Sequence, residues 1–440
     1  MKKNKLLIIA SIMSMLLGGC NTDINSNNNE EKIELVDIQG MSLVEAIVAL
    51  NGEVSLNPIY QETNQYLPER IISYGANLKV GDKVDKNMII DVNISKKPAN
   101  AVSYDSKIDY ISEVSKLTGP NSKENKETLL NGGIYGTDLG IPVSVNDKMI
   151  FLFGDSFSGD KMKGLWNSNF IAISSDKDYY DGLTFDGLVT FDNGMVKPFA
   201  QGKHQNGNEF DTNVEVTKIP TGGITIGEYT YVFYMSIRYW GPSGCWNVNY
   251  NQCLKSKDLS TWKEVDGLRF TEEEAINFAQ IYPMEDPNSD YIYLYGIEGG
   301  RNGGATLARV KKESFEDRSL YEYLVAKDTW EIGDSGLKKL KENAYWVVSA
   351  PVGEMSVCYN EYLKKYMTVF SRNGKLIMLT ANTPYDTFTN PVTLLSQQDY
   401  SGIYGGFIHP NYLTDGGKSF YMTVSSWEVY NVYWVKVVLK

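Results

Sequence analysis

Three carboxylates occupy positions where an acid or a base could act. Asp138 opens a strand-like run just after a glycine, and Asp155 ends the apolar run 151–154 of the same predicted hairpin. Glu354 enters a strand otherwise built from apolar and small residues. A carboxyl in such surroundings is either paired in a structural network or used as an acid with a raised pKa. An aspartate beside glycine can also be a turn residue, but two in one hairpin indicate one shared cavity.

Two further motifs could line that cavity. An aromatic loop carries Arg238, Trp240 and Trp246, and the closing segment carries Tyr404 and His409. Tyr and Trp present flat apolar faces with a polar rim, which suits stacking on sugar rings, although strand-rich proteins also use them structurally. A hydrogen bond to the backbone explains His409 as readily as a ligand contact does. These five residues are the predicted substrate contacts.

The elements that must position these residues are short strands separated by Gly/Asn/Asp turns, from about Thr128 onward. Groups of strands recur with a spacing of roughly 60 residues, which predicts an all-β domain of five four-stranded blades, a five-bladed β-propeller over residues 128–440. Stacked β-sandwiches are the alternative. Inner strands of a propeller converge on its axis, so polar residues at their starts face a central pocket. The clearest predicted strands are Met149–Gly154, Thr230–Arg238, Tyr291–Gly296, Tyr366–Ser371 and Phe420–Ser426.

Residues 34–97 have the pattern of a small, separate α+β domain. Ser42 is a good N-cap with Glu45 three residues on, and an apolar stripe follows, so a helix is predicted from Ser42 to Leu50. Residues 98–127 are polar and are interpreted as a linker. The strands predicted in this domain are Glu34–Ile38, Glu53–Leu56, Arg70–Tyr74 and Met88–Ser95.

The amino end has the layout of a secretory signal, with basic residues, the apolar run Leu6–Leu17 and then Gly18-Gly19-Cys20. The run is shorter than the roughly 20 apolar residues of a membrane-spanning helix. Leu17–Cys20 resembles the lipobox of bacterial lipoproteins, which implies removal of residues 1–19 and a lipid anchor on Cys20 at the extracytoplasmic face of the cell membrane. An ordinary signal peptide with a chance cysteine is the alternative. Residues 20–33 are polar and suit a flexible tether.

Composition restricts the partners. A total of 54 Asp and Glu against 42 Lys and Arg gives a net charge of −12, which argues against nucleic acid and against membrane contact beyond the lipid anchor. Two histidines and three cysteines other than Cys20 argue against a His/Cys zinc site. No metal and no other cofactor is predicted, and a structural cation on a propeller axis is the alternative left open. Cys245 and Cys253 could form a disulfide or remain free thiols.

Two groups of motifs resemble known domains. Leu35–Ala46, Ser73–Val84 and Val92–Ser95 resemble the opening and closing segments of a PASTA domain, although Val36 replaces the usual early proline. That resemblance implies either peptidoglycan contact or a spacer. Motifs over nearly all of residues 130–440 resemble the domain of unknown function numbered 4185. These motifs are Thr137–Pro142, Phe151–Phe157, Gly353–Val357, Tyr404–Pro410, Ser425–Trp427 and Tyr430–Val432.

Some members of that second family are assigned to glycoside hydrolase family 183 as endo-D-arabinanases with an inverting mechanism. The resemblance implies a cell-surface glycoside hydrolase acting on an arabinan-like or other cell-wall or surface polysaccharide. Inversion requires an acid and a base about 6.5 to 9.5 Å apart. The roles predicted are general base for Asp138, general acid for Glu354 and a tuning neighbour for Asp155. The alternative is a non-catalytic, glycan-binding or bridging propeller lipoprotein.

Overall fold

The computed structural model describes residues 31–440, so the predicted signal segment, Cys20 and most of the tether lie outside the described residues. The chain divides into two compact units. The first contains the described residues up to Ile59 together with Arg70–Ile94, and the second contains Tyr60–Glu69 and Ser95–Lys440. Within residues 31–440, no helix has the length and apolar character needed to cross a membrane.

The first unit mixes one helix with two small sheets, in which β1 pairs with β4 and β5 lies between β2 and β3. Ser42 Oγ accepts a hydrogen bond from the Glu45 amide at 3.3 Å, and the Glu45 carboxylate accepts one from the Ser42 amide at 2.6 Å. This capping box confirms the predicted helix. The PASTA-like assignment stays a prediction. The elements are β1 (Lys32–Glu34), α1 (Leu43–Ala49), β2 (Ser55–Glu62), β3 (Ile71–Tyr74), β4 (Lys83–Asp85) and β5 (Ile89–Lys96).

The second unit is built mainly of antiparallel strands, which confirms the predicted mostly-β character. Its first half contains β6 (Ile108–Lys116), α2 (Lys126–Asn131), β7 (Gly136–Val145), β8 (Lys148–Gly159), β9 (Lys163–Asn167), β10 (Phe170–Ser174), β11 (Gly187–Leu188), β12 (Thr217–Ile226), β13 (Tyr229–Trp240), β14 (Trp246–Ser256), β15 (Lys263–Thr271) and α3 (Glu272–Ala275). Its second half contains β16 (Gln280–Glu285), β17 (Tyr291–Ile297), β18 (Thr306–Lys311), β19 (Glu322–Ala326), β20 (Thr329–Ile332), α4 (Gly333–Glu342), β21 (Met355–Asn360), β22 (Lys365–Arg372), β23 (Lys375–Ala381), β24 (Thr389–Ser396), β25 (Ile403–Thr414), β26 (Ser419–Ser426) and β27 (Asn431–Leu439). Four short 3₁₀ turns lie at Ile276–Phe278, Lys312–Ser314, Arg318–Leu320 and Asp415–Gly417.

Five sheets follow one another along this unit. The first contains β7 to β11, the second β12 to β15, the third β16 to β20, the fourth β21 to β24, and the fifth β25, β26, β27 and β6. The first strand of each sheet contacts the first strands of the neighbouring sheets, in the cyclic order β7, β12, β16, β21, β25 and back to β7. The inner strands of the five sheets thus form a ring of contacts. The five strands singled out from the sequence are the second strands of the five sheets.

The interpretation of residues 98–127 as a linker is wrong for its central part. Residues 108–116 form β6, which pairs antiparallel with β27 and completes the fifth sheet. Tyr110 faces Val438 and Ile111 faces Val437 in this register, and both β6 residues are buried. A strand from the amino-terminal side therefore closes the sheet made by the carboxyl terminus. Its partner lies more than 300 residues away in sequence, so the local pattern could not reveal the pairing.

Replacing Ile111 by alanine tests this closure. We expect the free energy of unfolding to fall by roughly 2 to 4 kcal/mol, because the substitution opens a cavity in a buried cluster. Urea unfolding of the two proteins measures the difference. Ser106→Ala, at an exposed position just before β6, is the matched control and should change stability by less than about 0.5 kcal/mol. An equally small effect of Ile111→Ala would show that the segment is dispensable.

Cys245 and Cys253 are both free thiols. Cys253 lies in β14 opposite Phe233 and is fully buried, whereas Cys245 is exposed on the loop that precedes β14. The disulfide considered from the sequence is therefore absent, since the sheet places the first thiol in the core and the loop leaves the second in solvent.

Candidate active site

A cavity of about 740 Å³ brings together the three carboxylates predicted from the sequence. Asp138 comes from β7 and Asp155 from the adjacent β8, while Glu354 lies immediately before β21 of the fourth sheet. β7 and β21 are inner strands of their sheets, so the ring of first strands is what makes these side chains converge. The predicted shared cavity is present in the structure.

Asp138 is almost fully buried. Its Oδ2 accepts a hydrogen bond from the Tyr404 hydroxyl at 2.8 Å, and the nearby Tyr430 hydroxyl also interacts with the carboxyl. Burial raises the pKa of Asp138 to about 7, the Tyr404 hydrogen bond opposes this rise, and the negative charge of Glu354 adds to it. This carboxyl therefore changes protonation state near neutral pH.

Asp155 is also buried, and one of its oxygens accepts two hydrogen bonds. Trp166 Nε1 donates to Oδ1 at 2.7 Å, and the Thr217 hydroxyl donates to the same atom at 2.5 Å. Burial raises the pKa of Asp155 to about 8, against the effect of these two donors, and the charge of Asp138 raises it further. Since both donors bind Oδ1, Oδ2 is the oxygen that remains available to carry a proton.

Glu354 forms an ion pair with Arg301, which no sequence motif had indicated. The Arg301 Nη2 donates to Oε1 at 2.5 Å and the Nε donates to Oε2 at 3.0 Å, so the guanidinium binds the carboxylate through two nitrogens. The same guanidinium lies 5.0 Å from the ring centre of Tyr404 and 5.2 Å from that of Trp246. A carboxylate held by N–H donors on both oxygens has no proton to give. This geometry argues against the predicted role of Glu354 as general acid.

Four tryptophans line the same cavity. Trp240 and Trp427 are 41% and 53% exposed, whereas Trp246 is buried and meets the Trp240 ring edge-on at 5.6 Å. The fourth, Trp166, is the residue that binds Asp155. Broad indole faces in a cavity that also holds carboxylates suit the stacking of sugar rings. Of the predicted contacts, Trp240, Trp246 and Tyr404 lie in the cavity.

Arg238 and His409 were predicted to line this cavity and do not. The pairing of β13 with β14 is irregular around Ile237, which breaks the alternation of side chains, and Arg238 instead forms an ion pair with Glu272 at 2.8 Å in a separate cleft. His409 lies five residues beyond Tyr404 along β25 and is not among the residues that line the cavity. Its Nδ1 accepts a hydrogen bond from the Asn411 amide. The structural explanation of His409 is therefore sufficient.

The sequence reasoning missed three residues of the site. Arg301 lies in the run Gly299-Gly300-Arg301-Asn302-Gly303-Gly304, where a single cation among glycines could have marked a backbone that approaches a pocket. Trp166 and Trp427 also line the cavity. An isolated tryptophan in a strand-rich sequence shows no periodic pattern, so the sequence cannot tell whether it lines a cavity or packs in the core. Within residues 31–440, no cluster of three or more His, Cys, Asp or Glu is arranged to hold a metal ion.

The domain of unknown function DUF4185 matches residues 123–436, which include every residue of this cavity described above. The chain belongs to this family. A curated relative, the Notoamide biosynthesis cluster protein J of an Aspergillus species, is 23% identical over 318 residues, covering 69% of this chain and 83% of that protein. The family description states no activity, so function has to be argued from the site.

Solved structures support the fold. A crystallised Bacteroides ovatus protein, described as a candidate hydrolase, superposes with a TM-score of 0.55 at 12% identity, covering 77% of this chain and 93% of its own. The similarity to an arabinanase of Bacillus subtilis has a TM-score of 0.41 at 12% identity, covering 69% of this chain and 96% of that one, and is too slight to support an argument. The first of these comparisons establishes a shared fold alone.

The two buried aspartates make the stability of this DUF4185 domain depend on pH. A carboxyl whose pKa is raised by folding stabilises the fold fully below its unfolded value of about 4, and that contribution is lost as the pH rises through the folded value. With folded values of about 7 for Asp138 and about 8 for Asp155, we expect the free energy of unfolding to fall between about pH 4 and pH 8, by up to about 1.4 kcal/mol per pH unit from each carboxyl.

Urea unfolding at several pH values measures this decline, with Asp155→Asn as the comparison because it removes one of the two titrating groups. The variant should lose stability less steeply than the parent as the pH rises. Identical slopes would mean that Asp155 has an ordinary pKa in the folded protein.

Proposed function

We propose that this protein is a glycoside hydrolase of the cell envelope that cleaves an arabinan-like or related polysaccharide. The observation that carries the proposal is one open cavity in which two carboxyls with raised pKa values lie near an Arg-bound carboxylate, beneath exposed tryptophans. Carboxyl pairs of this kind perform glycoside hydrolysis, and tryptophan faces bind sugar rings. The five sheets act as five blades around this cavity.

The geometry supports a revised assignment of roles. Asp155, whose pKa is the higher and whose Oδ2 is free, is the general acid and protonates the glycosidic oxygen as the C–O bond breaks. Asp138 is the general base and takes a proton from the water that attacks the opposite face of the sugar. Glu354 and Arg301 orient the sugar hydroxyls, and their charges act on the pKa of Asp138. The products are two sugar fragments, and the configuration at the anomeric carbon is inverted.

Localisation is a further part of the proposal. A lipid on Cys20 would hold the chain at the outer face of the membrane, and residues 20–33 would act as the tether. The PASTA-like first unit would contact peptidoglycan or serve as a spacer. The acidic composition fits a neutral glycan better than a polyanion. Metabolic labelling with a lipid precursor, followed by comparison with Cys20→Ala, tests the anchor directly.

Incubation of the protein with arabinan, galactan and peptidoglycan preparations tests the activity. We expect oligosaccharides to be released from at least one neutral polysaccharide, with the inverted anomer visible first by ¹H NMR before mutarotation. A protein with Asp155→Asn serves as the blank. Measurable binding without any product would replace the hydrolase by a glycan-binding propeller, and retention of configuration would remove the assignment of Asp138 as base.

A further inference from the structure

His204, the histidine not yet discussed, lies against Trp166, the tryptophan that binds Asp155. The imidazole of His204 and the indole of Trp166 stack with their ring centres 3.9 Å apart and their planes 3° from parallel. Phe157 also packs on the indole, with ring centres 5.8 Å apart. Trp166 Nε1 in turn donates to Asp155 Oδ1. The stacked rings therefore fix the plane of the Trp166 indole, and with it the direction of the hydrogen bond to Asp155.

His204 itself is held by polar contacts at one nitrogen. Its Nε2 lies 3.0 Å from Ser168 Oγ and 3.1 Å from Gln201 Nε2. The Gly202 amide donates to Ser168 Oγ, which leaves the hydroxyl proton of Ser168 for the imidazole. An amide NH₂ and a hydroxyl that both donate to Nε2 require this nitrogen to be an acceptor, with the ring proton on Nδ1. The ring is thus neutral and has a defined tautomer.

The backbone of His204 adds a second constraint. Its φ is 52°, in the left-handed region, and its amide donates to the Val216 carbonyl at 3.0 Å. Histidine and asparagine are among the residues that enter this region most readily. The His204 ring therefore reaches Trp166 from a turn whose backbone is hydrogen-bonded to residues 214–216, the segment just before β12. A side chain fixed at both its backbone and its ring nitrogen is suited to positioning a neighbour.

We propose that His204 is a positioning residue for Asp155, acting through Trp166. By holding the indole in one plane, it keeps the Trp166 N–H on Oδ1 and leaves Oδ2 to carry the proton. The catalytic consequence rests on the proposed hydrolase function, whereas the positioning does not. The groups that face Asp155 are Trp166, Thr217, the charge of Asp138 and the hydroxyl of Tyr430. Those that face His204 are Ser168, Gln201 and the charge of Glu215.

Loss of the stack should change Asp155 in a predictable direction. The Trp166 hydrogen bond lowers the pKa of Asp155, so an indole that turns away allows this pKa to rise. The alkaline limb of the activity profile should then move to higher pH by about one unit. A proton donor that is less well oriented should also reduce kcat by about tenfold, with little change in KM.

His204→Asn tests the proposal, because asparagine keeps the left-handed backbone and loses the ring. The ¹⁵N–¹H signal of the Trp166 indole, identified by its disappearance in Trp166→Phe, is followed from pH 5 to pH 10 in full-length protein. We expect the parent signal to titrate with Asp155, and the His204→Asn signal to lose that titration. His204→Phe restores a flat ring, at the cost of backbone strain for phenylalanine at a φ of 52°, and should recover part of the titration. His409→Asn is the control for removing a histidine.

An indole titration in His204→Asn that matches the parent overturns the positioning role. Because this readout needs no substrate, it remains decisive even if the protein hydrolyses nothing, and the two failures can be told apart. In an active enzyme, an alkaline limb that stays in place in His204→Asn overturns the catalytic consequence. Recovery of both the indole titration and kcat in His204→Phe supports stacking as the cause.

Discussion

Asp155→Asn is expected to lower kcat on a natural polysaccharide by roughly 10²- to 10⁴-fold while leaving the fold intact. The loss follows from removal of the proton carried at Oδ2. The fold should survive because the amide oxygen of asparagine can still accept the hydrogen bonds of Trp166 and Thr217. Removal of a buried, titrating carboxyl should also leave the variant at least as stable as the parent at alkaline pH.

The choice of leaving group separates acid catalysis from other losses. A glycoside with a nitrophenolate leaving group needs little protonation, so Asp155→Asn should retain far more activity on it than on the polysaccharide. Asp160→Asn, at an exposed aspartate in the turn between β8 and β9, is the matched control and should leave both activities unchanged. Equal losses on the two substrates would assign Asp155 to structure or binding instead of proton donation.

The second large effect is expected at the ion pair between Glu354 and Arg301. Glu354→Gln leaves the guanidinium without its counter-charge in a largely buried position, since the Glu354 and Arg301 side chains are 11% and 30% exposed. Loss of one partner of a fully buried pair costs about 3 to 5 kcal/mol. Allowing for the exposed part of Arg301, we expect a loss of roughly 2 kcal/mol in urea unfolding.

A double replacement shows whether the unpaired charge is the cause. Arg301→Met in the Glu354→Gln background removes the cation and should restore much of the lost stability. Glu361→Gln breaks an exposed ion pair with Lys364, whose side chains are 64% and 73% exposed, and should have almost no effect. A Glu354→Gln protein as stable as this control would mean that the cavity solvates Arg301 well.

The same substitution should act on Asp138. The charge of Glu354 raises the pKa of Asp138 and that of Arg301 lowers it. Removal of the glutamate charge alone should therefore lower the pKa of Asp138, and the acid limb of the activity profile should move to lower pH. An acid limb that does not move would show that the charge of Glu354 does not act on Asp138.

Several features could be predicted because their causes are local. The helix that begins at Leu43 follows from the side chains of Ser42 and Glu45, which bond each other's backbone three residues apart. The second strands of the five sheets follow from runs of β-branched and aromatic residues bounded by turns. The cavity position of Asp138 and Asp155 also had a local cause, since both lie in the β7–β8 hairpin and line the same cavity.

Other features depend on contacts between distant segments and could not be predicted. β6 was interpreted as linker because its partner β27 lies at the other end of the chain. Arg238 was assigned to the cavity as part of an aromatic loop, but it lies in β13, where the pairing with β14 is irregular. The predicted role of Glu354 as general acid fails because Arg301, from a glycine-rich loop of the third sheet, binds its carboxylate.

The amino-acid sequence alone determines the types of the reacting groups, the strand-rich architecture and the aromatic residues available for a sugar site, because each is a property of composition or short-range pattern. The protonation of the reacting groups depends on the tertiary structure. The pKa of Asp155 is raised because folding buries its carboxyl, whereas the Glu354 carboxylate lies against the Arg301 guanidinium. The two residues carry the same chemical group in the chain, and the ring of sheets gives each a different set of neighbours.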